Sequence, residues 1–138
     1  MNGQNFALQP FTSFASFVLN GTISRHQTCL NITYNLTGPL EDLIIAPQAA
    51  KPARLWVLWE RTCFEFFLAR QNTASYWEVN LSPAGHWNVF RLSDYRQGIQ
   101  EEPAFQALPF SVQQKPERLM LSLNVDLTTS FPVTSPWR

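Results

Sequence analysis

Trp59, Arg61, Glu65, Glu78 and Asn80 are the residues whose types and spacing suit ligand chemistry in this chain. They fall in two segments, Leu55-Trp-Val-Leu-Trp-Glu-Arg-Thr-Cys-Phe-Glu-Phe-Phe-Leu68 and Ser75-Tyr-Trp-Glu-Val-Asn-Leu-Ser-Pro-Ala-Gly-His-Trp-Asn-Val-Phe-Arg91. Aromatic planes beside carboxylate and amide groups suit a sugar, which offers apolar C–H faces for stacking and a rim of hydroxyls for hydrogen bonds. The pattern reads as a binding surface rather than a catalytic centre.

Strand alternation must position these side chains. Read as strands, residues 54–59 and 62–69 put Trp59, Arg61, Cys63, Glu65 and Phe67 on one face. Glu60, Thr62, Phe64, Phe66 and Leu68 take the other, greasier face and should enter the core. In the next strand Tyr76, Glu78 and Asn80 oppose a core set of Trp77, Val79 and Leu81. Pairing the two lays Arg61, Glu65, Glu78 and Asn80 on one polar, concave face, with Arg61 orienting the carboxylates. An Arg–Glu cross-strand pair of this kind is also an ordinary surface contact of small worth. Trp59 is harder to explain that way, because a large ring on a polar face needs a cover. Trp87 goes either beside Asn80 or into the core, depending on the turn after Leu81.

Composition supports the strands. The chain has 138 residues, 14% charged and 14% aromatic with eleven Phe, against a usual charged share of about 25%. That length suits one domain, residues 1–138, with its own core. Ten Lys+Arg balance ten Asp+Glu, so no basic stripe is present and nucleic acid is an unexpected partner. No apolar stretch has the length of a membrane span, and Met1 to Pro10 shows no basic-then-apolar leader. A cytoplasmic location is expected. Cys29 and Cys63 read as reduced core thiols. The Asn-x-Thr triplets at Asn20, Asn31 and Asn35 read as strand alternation rather than glycosylation sites.

Turn punctuation marks about nine short strands. Residues 14–19 and 22–27 flank Asn20-Gly21, a strong hairpin signal. Leu30, Ile32, Tyr34 and Leu36 alternate with polar residues up to Gly38-Pro39. Further strands are expected at residues 75–81, 86–92, 108–112 and 118–127, with a polar, irregular stretch at 93–107. An antiparallel β-sandwich of jelly-roll type follows. No closing strand is legible after Leu127, so the sandwich reads as short of its C-terminal strands, with an open sheet edge that a partner chain would cover.

Catalytic inventories are missing. The sequence has no Gly-x-Ser-x-Gly, no phosphate-binding glycine loop and no metal-spaced cysteines. Glu65 and Glu78 could be imagined as a glycosidase pair, but beside Arg61 they read more simply as hydrogen-bond acceptors. No enzyme activity, metal or cofactor is expected.

The strings Leu58-Trp-Glu-Arg-Thr-Cys-Phe-Glu-Phe-Phe-Leu68, Tyr76-Trp-Glu-Val-Asn-Leu-Ser-Pro-Ala-Gly-His-Trp87 and Tyr95-Arg-Gln-Gly98 resemble the DOMON-like proteins related to family 9 carbohydrate-binding modules. The likeness runs from about Phe6 to Leu127. It implies a jelly-roll sandwich and, in the true modules, capture of sugar ends between two tryptophans. Those modules place a Trp six residues before a Glu on one strand, the spacing of Trp59 and Glu65. Glu78 and Asn80 match further polar contacts more loosely. Relatives continue past the position of Leu127 with Trp-Ala-Leu and His-Pro motifs and the second stacking tryptophan. This chain has neither motif, so it would not form a two-sided clamp alone.

Three expectations for function follow. The first is a non-catalytic carbohydrate-binding domain holding a sugar or oligosaccharide end through Trp59, Arg61, Glu65, Glu78 and Asn80. The second is a structural subunit that docks a protein partner through its open sheet edge. The third is a haem carrier of the wider DOMON group, for which Met120 and His86 are the plausible axial pair.

Overall fold

The computed structural model describes residues 2–10 and 16–127. Among the described residues, nine strands form two antiparallel sheets. The first sheet holds β1 (Asn2–Leu8), β2 (Val18–His26), β3 (Cys29–Thr37), β9 (Arg118–Asp126) and β8 (Ser111–Lys115), in that order. The second holds β4 (Phe64–Ala69), β5 (Tyr76–Leu81), β6 (Trp87–Leu92) and the two-residue β7 (Gln100–Glu101). The protein is an all-β sandwich.

Period-two patterning builds the core as expected. Leu30, Ile32, Tyr34 and Leu36 of β3 and Leu119, Leu121, Leu123 and Val125 of β9 face inward. They meet Phe64, Phe66 and Leu68 of β4, Trp77, Val79 and Leu81 of β5, and Trp87 and Val89 of β6 in one apolar cluster. Each such side chain contributes roughly 1.5–3 kcal/mol through burial. Tyr34 carries a hydroxyl into this core. It donates to the backbone carbonyl of Glu65 at 2.8 Å, tying the two sheets together where the polar face begins.

The Asn20-Gly21 hairpin does not form. β2 runs straight through both residues, pairing Gly21 with Phe6 on one side and with Tyr34 on the other. The local turn preference loses to two full ladders. A Cβ at Gly21 would overlap the Thr33 carbonyl and lie 2.7 Å from Phe6 Cζ, so glycine is kept for close approach, not for a turn. The actual β2–β3 reversal is at Gln27, whose φ is +55°. Part of the expected first strand, residues 14–15, lies outside the described residues, as does everything after Leu127.

β9 lies inside its sheet between β3 and β8, and the outer strands of the two described sheets are β1, β8, β4 and β7. The expected lack of a closing strand after Leu127 concerns residues outside those described. Neither cysteine is a core residue: Cys29 is exposed, Cys63 is half-buried, and both are free thiols. Among the described residues, no helix is long and apolar enough to cross a membrane.

Candidate functional site

The outer face of the four-stranded sheet carries the site. The β4–β5 ladder sets Glu65 opposite Asn80 and Phe67 opposite Glu78, and β6 adds Asn88 beside Asn80 and Phe90 beside Glu78. Alternation thus brings Glu65, Glu78 and Asn80 to one face, while Trp77, Val79 and Leu81 enter the core. The β5–β6 turn, with Gly85 at φ +98°, returns the chain so that Trp87 pairs with Leu81 and packs inward.

The strand expected over residues 54–59 is instead a strap. Arg54 forms an isolated parallel bridge with Trp87, and Leu58–Glu60 close a 3-10 turn. Anchoring to β6 overrides the strand-like composition here. Arg54 Nε donates to the Asn88 side-chain carbonyl at 2.8 Å, and its other nitrogens donate to the backbone carbonyls of Val89 (2.7 Å) and Phe105 (3.0 Å). The Asn88 amide donates in turn to the Leu55 carbonyl and to Glu101 Oε2, which lies 3.5 Å from Arg54 Nε. Val57, just before the turn, has φ 56° and ψ 33°, a conformation that a β-branched residue adopts only under strain.

The strap lays two indoles over the buried ring of Phe90. Trp56 lies 4.7 Å and Trp59 6.4 Å from it, and each indole residue remains 47% exposed. Trp59 therefore reaches the site from a turn above the sheet, not from a strand within it. Trp56 was not singled out by alternation. The three-residue spacing of Trp56 and Trp59, read as a turn, was the available signal. Arg54, Asn88 and Phe90 were also missed, because their roles depend on the strap.

Arg61 does not join the cluster as expected. It follows the 3-10 turn in extended conformation, is exposed, and makes no ion pair with Glu65 or Glu78 among the described residues. β4 begins only at Phe64, so strand alternation never governs position 61.

Glu65 and Glu78 are therefore diagonal neighbours on β4 and β5, with no ion pair to a cation among the described residues. Burial first, and then the charge of Glu78, hold the Glu65 carboxyl above the ordinary carboxylate range. Burial, again reinforced by Glu65, pushes the Cys63 thiol up to about 12 and likewise raises the Tyr34 phenol above its ordinary value. Beneath the strap, Asn80 is fully buried, and neither its amide nitrogen nor its amide oxygen has a hydrogen-bond partner among the described residues. Leaving such a group unpaired costs about 1–3 kcal/mol. On the far side of Glu78, the exposed ring of Phe67 meets Tyr76 edge-on at 6.0 Å.

The arrangement suits binding: aromatic walls flank acceptors that lack donors. The proposed haem ligands are separated. His86 lies in the β5–β6 turn, where Nδ1 accepts from the Ala53 backbone N–H at 3.0 Å, whereas Met120 faces outward from the other sheet. No group of three or more His, Cys, Asp or Glu suited to a metal occurs among the described residues.

No protein-family profile and no curated protein matches the sequence. Among solved structures, the chain is similar to a candidate carbohydrate-binding protein of Bacteroides uniformis, with a TM-score of 0.66 over 99% of this chain at 11% identity. The chain spans 65% of that protein's length. At this identity the likeness speaks for the β-sandwich fold.

Proposed function

We propose that this chain is a non-catalytic carbohydrate-binding domain whose ligand is a small sugar or an oligosaccharide end. One observation carries the reading. Trp56 and Trp59, both half-exposed, stand on the same sheet face as Glu65, Glu78 and the hydrogen-bond-free Asn80. The indoles supply stacking planes and the polar groups supply acceptors for hydroxyls. The Bacteroides uniformis neighbour, a candidate carbohydrate-binding protein, supports the same class. The jelly-roll description, the kinship with DOMON-like and family 9 modules, and a cytoplasmic location belong to this proposal and rest on the sequence strings and composition. Arg61 leaves the proposed site, and Trp56 enters it.

Tryptophan fluorescence titration with mono- and oligosaccharides tests the reading. Saturable quenching is expected in the wild type, with affinity reduced about tenfold in Trp59→Ala, the worth of one lost stacking contact. A flat wild-type response across the panel overturns it.

A protein-docking role is favoured by a different observation. Leu55, Trp56, Val57 and Trp59 are all more than 40% exposed and contiguous along the strap. In that reading they bury against a partner, and light scattering at high concentration would show self-association that Trp56→Ala reduces.

A further inference from the structure

The proposed site is poor in donors and rich in negative charge, which narrows the ligand class. Glu65 and Glu78 are diagonal neighbours on β4 and β5, and no cation of the described chain pairs with either. The Asn80 amide lies on the same face, opposite Glu65, fully buried and with neither its oxygen nor its nitrogen partnered among the described residues. Two carboxylates thus share a face where the described residues supply no paired positive charge. Neutral hydroxyls would offer hydrogen bonds but would not offset the mutual repulsion of two carboxylates. An ammonium group is compact, carries three donors and offsets both charges. The walls suit it as well. Glu78 is flanked by Phe67 across the ladder and by Tyr76 along its own strand, and rings at such positions attract cations by their π faces.

We infer that the site selects an amino sugar, binding its ammonium between Glu65 and Glu78 while the sugar ring stacks on Trp59. This rests on the carbohydrate reading above.

The test is isothermal titration of the whole chain with glucosamine, N-acetylglucosamine, glucose and calcium chloride at pH 6. Glucosamine is expected to bind about tenfold more tightly than either neutral sugar, the scale of a charge-assisted hydrogen bond. Glu78→Gln, at a partly exposed strand position, is expected to bring that ratio close to one. Equal affinity for glucosamine and glucose overturns the amino-sugar inference while leaving the carbohydrate reading in place. Binding of none of the three sugars overturns both. Binding of calcium without glucosamine marks the carboxylates as a metal site and also overturns the inference.

Discussion

Arg54 donates through Nε to the side-chain carbonyl of Asn88 at 2.8 Å, and this contact fixes the strap to the sheet it covers. With the bonds to Val89 and Phe105, it decides where Trp56 and Trp59 stand. Arg54→Ala should lower stability by about 2–4 kcal/mol, because it removes a charge-assisted fork of three hydrogen bonds and the cation beside Glu101. Arg54→Lys should recover only part of this, since one ammonium does not span three acceptors. Urea denaturation checks both. Wild-type stability in Arg54→Ala would detach the strap from the fold's energetics.

Asn80 bears a cost that the fold does not offset. Asn80→Leu keeps the size of the side chain and removes the orphaned amide, so the variant should be more stable by about 1–3 kcal/mol. Its sugar affinity should fall at the same time, a stability–function exchange common at binding sites. Thermal melts and fluorescence titration of one preparation measure both. A destabilised variant would mean that the amide is satisfied in solution.

The Glu65 carboxyl titrates above its unfolded value because of burial and then the charge of Glu78. The folded state therefore holds this proton more tightly than the unfolded chain. The resulting stability is fully present below the unfolded pKa and is lost as pH rises through the raised folded value. As pH rises above the ordinary glutamate range, the melting temperature of the wild type should fall relative to that of Glu65→Gln. Parallel profiles would contradict the shift.

Gly21 reports on the strand that replaced the expected turn. Gly21→Ala would drive a methyl into the Thr33 carbonyl and the Phe6 ring. A loss toward the upper end of roughly 1–3 kcal/mol is expected for such overpacking. An unchanged urea midpoint would return Asn20-Gly21 to an exposed turn.

The sequence alone determined the sandwich and much of the polar face. The alternation in β3, β4, β5 and β9 is local, because each residue's side follows from its neighbours two positions away. That is why Glu65, Glu78 and Asn80 could be assigned to one face before any pairing was known. Tertiary structure decided the rest. Residues 54–60 are as apolar as a strand, and only the bonds of Arg54 to β6 and the loop at Phe105 turn them into a strap. Asn20-Gly21 has the chemistry of a turn, and only β1 and β3 on either side hold it extended. In both places the outcome depends on contacts between residues distant in the chain, and local preferences worth about 1 kcal/mol do not withstand them.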